Sequence, residues 1–454
     1  MAIPTVTRLG ASALLLALSG VNAENPFSID TDADIRTSAA LLAHDTMVYY
    51  KGNLTGETPG LLPGPPPTGD YYWWQSGALW GTLIDYWQLT GDSSYNNVII
   101  QGMMHQVGQN NDFQPRNISA SQGNDDQAFW GMAALQAAEL DFPSPPSDQP
   151  QWLALAQAVF DAQTARRDEE CGGGLRWQIA MTNVGYDYKN TISNACFFNM
   201  GARLARYTGN ETYSKLAGET WDWIQSVGFI SDKGDVYDGA FVDGDCTDIN
   251  KAQFSYSAAI LVQGAAFMWN ITEDQAWKDR LEGLLDRTLE VFFRDDGVAY
   301  EASCEPQNTC TTDMYSFKGF LHRWLAQASQ VAPFIADKVT PILRSSTEAA
   351  IKQCTGGDSG RECGFSWSSG KFDGNTGAGQ EMNVLAAVSS LLAPGKGGPS
   401  TEDSSAGTGN GDGTGNGSDG TSDGDDAGNG SGLLRGPGFW ISSFVAFSYF
   451  FVRF

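Results

Sequence analysis

The chain has 454 residues and a formal charge of −26. With 53 acidic against 27 basic residues, it has no basis for a cationic nucleic-acid groove, which needs clustered Lys and Arg. Only His44, His105 and His322 are available for zinc sites or His-based triads, and 41% hydrophobic content with 14 Trp, 15 Tyr and 24 Phe excludes whole-chain disorder.

Residues 1–23 read as a secretory signal: Arg8, an apolar run from Ala11 to Leu18, and the small-residue cleavage site Val21-Asn22-Ala23. The run is too short to cross about 30 Å of hydrocarbon. Residues 24–394 form one unit, because no long linker interrupts them. Twelve helical segments follow one another: 31–50, 74–90, 93–108, 124–140, 151–167, 191–208, 211–227, 253–270, 273–293, 313–330, 333–352 and 379–392. Tyr213, Leu216, Ala217, Thr220, Ile224 and Val227 share one helical face, as do Trp277, Leu281, Leu284, Thr288 and Val291.

The joints repeat. Leu89-Thr90-Gly91-Asp92 and Tyr207-Thr208-Gly209-Asn210 each close one helix with Gly and open the next with a capping Asp or Asn. Trp269 to Asp274 is a looser third copy, and Thr272-Glu273-Asp274-Gln275 reads as a capping box. Repeated hairpins predict an all-α fold, an (α/α)6 barrel of six hairpins. Each even-numbered helix opens on a polar and aromatic cluster, from Tyr71-Tyr72-Trp73-Trp74-Gln75 to Gly379-Gln380-Glu381. Helices of one parity run parallel in such a ring, so these clusters converge on one rim as a pocket.

Residues 395–432 read as a disordered Gly/Ser/Asp-rich linker and 433–454 as a removed signal tail. Small residues, a polar spacer and an apolar tail (Phe439–Val452) have the layout of a GPI attachment signal, with the anchor within 424–430, at Asp426 or Asn429. The expected location is therefore secreted, held to the outer face of the plasma membrane and the cell wall. Sequons at Asn53, Asn117, Asn210, Asn270, Asn416 and Asn429 agree with secretion, though Asn210 also reads as a helix cap and Asn429 as the anchor residue. Seven cysteines imply three disulfides and one thiol. Proximity suggests Cys304–Cys310 and Cys354–Cys363; Cys196 lies in an apolar helical pattern and is left free, so Cys171–Cys246 remains by elimination.

Asp125-Asp126 is the focal feature, opening the segment Asn124-Asp125-Asp126-Gln127-Ala128-Phe129-Trp130. One Asp there would be an ordinary cap. Two adjacent acids can divide into a protonated acid and an ionised nucleophile, because like charges push one pKa up while a helix N-terminus favours the other anion. Glycosidases need that division, and nearby Trp and Tyr suit sugar faces. Asp243, Asp245 and Asp248 space carboxylates in the manner of a calcium loop, but without its usual Asn/Asp alternation and closing Glu. No Ser nucleophile elbow, P-loop or HExxH is present. No metal and no cofactor is expected.

Asn124-Asp125-Asp126-Gln127-x-x-Trp130, Cys171-Gly172-Gly173-Gly174-Leu175-Arg176-Trp177, Lys189-Asn190-Thr191-Ile192-Ser193-Asn194, Tyr237-Asp238-Gly239 and Gly377-x-Gly379-Gln380 together resemble glycoside hydrolase family 76. They are most similar to its fungal GPI-anchored, defective-cell-wall-type mannan endo-1,6-α-mannosidases. The resemblance spans about residues 27–392 and both processing signals. It implies an (α/α)6 barrel and a retaining mechanism on α-1,6-mannose linkages, with Asp125 as nucleophile and Asp126 as general acid/base. It further implies action on the mannose core of GPI anchors and transfer of the attached glycoprotein to cell-wall glucan. Around the pair, Trp73, Trp74, Asn124, Lys189, Asn190, Tyr237, Asp238, Gln253, Tyr256, Asp313, Lys318 and Gln380 are the sugar-contacting candidates, Asp238 foremost, with a turn residue before Gly239 as its simpler reading. The expected partners are α-mannose glycans and a β-glucan acceptor, for a monomeric protein. The competing class is a non-catalytic mannan-binding wall protein on the same scaffold.

Overall fold

A computed structural model describes residues 25–402 and residue 404. The signal segment, the Asn416 and Asn429 sequons, the anchor site and the apolar tail lie outside the described residues. The helices are α1 (Asp32–Met47), α2 (Trp73–Thr90), α3 (Asn96–His105), α4 (Asn124–Glu139), α5 (Trp152–Thr164), α6 (Thr191–Thr208), α7 (Glu211–Ser226), α8 (Ser255–Thr272), α9 (Gln275–Phe292), α10 (Phe317–Val331), α11 (Ala336–Lys352) and α12 (Ala378–Ser390).

The even-numbered helices form the inner ring. Each packs on the next, and α12 packs on α2 to close the circle. They are buried on nearly every side, as in α8, where Ser257 to Met268 is buried without interruption. A helix hydrophobic all round belongs in a core. The odd-numbered helices lie outside. Helix α7 buries Tyr213, Ala217, Thr220 and Ile224, and α9 buries Trp277, Leu281, Leu284 and Thr288. The architecture is the (α/α)6 barrel.

The hairpin joints show their mechanics. Gly91 and Gly209 end α2 and α6 at φ +82° and +69°, a left-handed geometry that glycine adopts without Cβ strain. The residue after each glycine then turns the chain: Asn210 Oδ1 accepts the Thr212 N–H, and Asp92 Oδ1 accepts the Ser94 N–H. In the third joint Thr272 is the last residue of α8, Glu273 occupies the left-handed position and Asp274 alone caps α9 through the Ala276 N–H. The capping box expected at Thr272–Gln275 is therefore not what starts α9. Helix α10 starts four residues later than expected, because Met314–Ser316 form a 3₁₀ turn.

A small antiparallel sheet, absent from the expected elements, consists of β1 (Tyr188–Asn190), β2 (Gly239–Phe241) and β3 (Ile249–Asn250), in that order. Tyr188 pairs with Phe241, Asn190 with Gly239, and Gly239 with Asn250. The disulfides are Cys171–Cys246, Cys304–Cys310 and Cys354–Cys363, and Cys196 is a buried free thiol.

At the rim formed by the C-termini of the even helices, buried charges are paired. Arg323 Nε donates to Asp85 Oδ2 at 2.5 Å, and Arg203 Nη2 to Glu139 Oε2 at 2.6 Å. They border a cavity of about 20 Å³, room for about one water. Residues 396–400 cross beneath it: Ser400 N–H donates to Glu139 O, Arg206 Nη1 to Ser400 O and Gln330 Nε2 to Gly397 O. The packed chain thus continues to Ser400, beyond the boundary expected at residue 394. Among the described residues no helix is long and apolar enough to cross a membrane.

Candidate active site

The opposite rim holds the N-termini of the even helices. Gly123 precedes α4, and Asp125 and Asp126 occupy its first turn. Asp126 Oδ2 accepts the Gly123 N–H at 2.7 Å, while Asp125 Oδ1 accepts the Asp126 N–H at 3.0 Å. A Cβ at position 123 would fall 2.3 Å from Asp125 Oδ1, so only glycine leaves the carboxyl its place. Asn190, which caps α6, reaches Asp125 Oδ2 with Nδ2 at 3.5 Å.

Burial, then the charge of Asp126, raises the Asp125 carboxyl well above the usual range. Burial likewise pushes Asp126 up to about 7, with the Asp313 charge adding to it. Two carboxyls side by side in a low-dielectric recess hold one proton between them near neutral pH. Asp125 collects more amide donors than Asp126, whose one amide partner is Gly123. These donors lower the Asp125 carboxyl against the rise that burial and the Asp126 charge impose.

Three further residues close around the pair. Trp74 Nε1 donates to Asp313 Oδ1 at 2.9 Å, and burial pushes Asp313 up to about 6. Asp238 Oδ2 accepts from the Tyr188 hydroxyl at 2.7 Å and from Asn250 Nδ2 at 3.2 Å, and burial raises its pKa. Tyr256 stacks on Phe317 with ring centroids 3.7 Å apart. Its hydroxyl is raised by burial and then by the charges of Asp125, Asp238 and Asp313, because it stands among these carboxyls. Asp125, Asp126, Asp238, Tyr256 and Asp313 each keep part of their surface open.

Other candidates are committed elsewhere. Lys189 has no exposed surface: Nζ bonds Asp168 Oδ1, Glu170 O and Gly173 O, each at 2.6 Å. It pins the Cys171–Gly174 loop. Lys318 is equally enclosed, bonding Glu305 Oε2 at 3.0 Å and Phe365 O at 2.5 Å beneath the Phe365 and Trp367 rings. Neither lysine can reach a sugar. Asn124 is 2% exposed; its amide donates to Arg176 O and accepts from Arg166, which anchors the start of α4. Gln380 is 3% exposed in the first turn of α12 and donates to Asn375 Oδ1. The Tyr237 hydroxyl bonds Asp235, itself paired with Arg287 of α9 on the outer ring. Trp73 stacks on Trp130 and bonds Gln106, with part of its ring open. Gln253 is half-buried, its backbone clipped to Ser303.

Tyr188 and Asn250, which hold Asp238, are not among the sugar-contacting candidates. Both lay in the polar clusters before α6 and α8, but strands of two or three residues carry no readable alternation. Asp243, Asp245 and Asp248 are exposed, and among the described residues no group of three or more His, Cys, Asp or Glu is placed to hold a metal ion.

Twelve helices in a double ring, with paired carboxyls opening one inner helix, define an (α/α)6-barrel glycosidase of the two-carboxylate kind. The chain belongs to glycosyl hydrolase family 76, whose model matches residues 34–403. It is 41% identical to mannan endo-1,6-alpha-mannosidase DCW1 of Saccharomyces cerevisiae, over 88% of this chain and 90% of that protein. Mannan endo-1,6-alpha-mannosidase DFG5 of the same yeast is 39% identical over 87% and 86%. The crystal structure of Dfg5 from Chaetomium thermophilum in complex with glucosamine superposes with a TM-score of 0.81 at 58% identity, over 83% of this chain and 94% of that one. An inactive Salegentibacter α-1,6-mannanase, with two consecutive aspartates replaced by asparagine and α-1,6-mannotriose bound, shares the fold at a TM-score of 0.64 and 17% identity, over 79% and 99%.

Proposed function

We propose that this chain is a retaining glycosidase and transglycosidase acting on α-1,6-mannosidic linkages. The observation that carries the reading is the Asp125–Asp126 pair, two adjacent raised carboxyls at a helix N-terminus. The 41%-identical yeast relative named for that linkage supports the substrate class. Asp126 would protonate the leaving oxygen while Asp125 attacks the anomeric carbon. The glycosyl–Asp125 ester then yields to water or to a sugar hydroxyl, deprotonated by Asp126. Asp238, Asp313 and Tyr256 border the reacting sugar and would accept or donate bonds to its hydroxyls. The mannose core of GPI anchors as donor, cell-wall glucan as acceptor, secretion, the GPI anchor and a monomeric state form the rest of this reading.

The test uses the soluble domain with α-1,6-mannooligosaccharides and a β-glucan oligosaccharide. Asp125→Asn and Asp126→Asn, each checked for folding by circular dichroism, should lose at least about 10²-fold in kcat. Undiminished turnover in both would sink the assignment. Products with free reducing ends only, and no mannosylated glucan, would remove the transfer step.

A further inference from the structure

We infer that Phe241 is the platform of an outer pyranose subsite, one step beyond the carboxyl pair along the small sheet. The inference rests on the glycosidase reading above. Among the described residues Phe241 is the one Phe, Tyr or Trp whose side chain is exposed, at 44% of its surface. A single exposed apolar residue ordinarily means nothing. Here its placement matters.

Residues directly opposite in an antiparallel pair share a face, and alternate residues along a strand return to it. Asn190, Gly239 and Asn250 therefore make one row across the sheet, and Tyr188 and Phe241 the next row on the same face. The first row reaches the chemistry: Asn190 Nδ2 lies 3.5 Å from Asp125 Oδ2, and Asn250 Nδ2 lies 3.2 Å from Asp238 Oδ2. Lys189 and Ala240 alternate onto the other face and are buried. Two residues along a strand are about 7 Å, comparable to the length of a sugar unit. A glycan seated at Asp125 and running outward along this face meets Phe241 next.

The ring is also supported as a platform. Tyr188 meets it edge-on with centroids 4.9 Å apart, and the Tyr188 hydroxyl is itself tied to Asp238. The backbone behind is held by the Val242 N–H to Asp187 O bond at 2.7 Å. An aromatic face braced by Tyr188, with exposed Asn250 and Lys251 nearby, suits the C–H face and hydroxyls of a pyranose. The sugar is either a further mannose of the donor glycan or a unit of the acceptor.

The experiment compares wild type, Phe241→Ala and Phe241→Trp. It measures kcat/KM across α-1,6-mannooligosaccharides of increasing length, and the ratio of transfer to hydrolysis with a β-glucan oligosaccharide. Phe241→Ala should leave the shortest cleaved substrate unchanged and lose about three- to tenfold either on longer donors or in acceptor use. Phe241→Trp should restore it. Loss on longer donors places the donor chain on Phe241; loss confined to the transfer ratio places the acceptor there. No change in either arm, or an equal loss at every length, would overturn the subsite. Wild-type protein that cleaves none of these chains would overturn the underlying reading with it, an outcome told apart by the wild-type arm alone.

Discussion

Asp126 is raised to about 7 and Asp313 to about 6, both chiefly by burial. A general acid must carry its proton, so kcat/KM should fall above about pH 7 as Asp126 loses it. A pH–rate profile of the soluble domain tests this, and a flat rate through pH 8 would contradict it. Stability shares the direction. Carboxyls raised in the folded state bind more protons than in the unfolded chain, so the stabilisation is full below the unfolded values and is lost as pH rises through the folded ones. Glu301 and Glu381, each raised to about 8 by burial, extend that window. The acid pair was legible because two adjacent Asp before an apolar helix exceed what a cap needs. The fate of Lys189 was not. Its carbonyl partners lie 15 to 19 residues away, and only the folded Cys171–Gly174 loop brings them to it.

The helical hairpin was legible because its parts are local: a periodic face, a left-handed glycine and a side-chain cap. Asn210 caps α7 with Oδ1, so Asn210→Ala should cost about 1 kcal/mol and lower Tm by about 1–2 °C in a thermal melt. Thr212→Ala removes the same sequon but keeps the Asn210 cap, whose donor is a backbone N–H. It should melt with the wild type if the cap and not a glycan is responsible. Asn270 differs. Its Nδ2 donates to Val331 O and its Oδ1 accepts from Arg206, so both ends of the amide serve the fold. The small sheet has no local signature, because β1 pairs with β2 from 49 to 53 positions away and all three strands are too short for a pattern.

Ring closure could be foreseen from the count of hairpins, since six antiparallel pairs with one polar end each fit a barrel. The strap at 396–400 could not, because Lys-Gly-Gly-Pro-Ser has the composition of a linker and its bonds go to the C-terminal ends of α4, α6 and α10. Cys171–Cys246 ties the loop before β1 to the β2–β3 connection across 75 residues. Its loop entropy predicts that the double replacement Cys171→Ser with Cys246→Ser lowers unfolding free energy by about 4 kcal/mol, measured by denaturant titration. An unchanged midpoint would mean that the sheet is held by its packing alone. The central claim is that the carboxyl pair cleaves α-1,6-mannosidic bonds through a covalent intermediate. Proton NMR of the first product released from an α-1,6-mannooligosaccharide, recorded before mutarotation, tests it most directly. The α-anomer appearing first is the predicted result, and the β-anomer appearing first would contradict it.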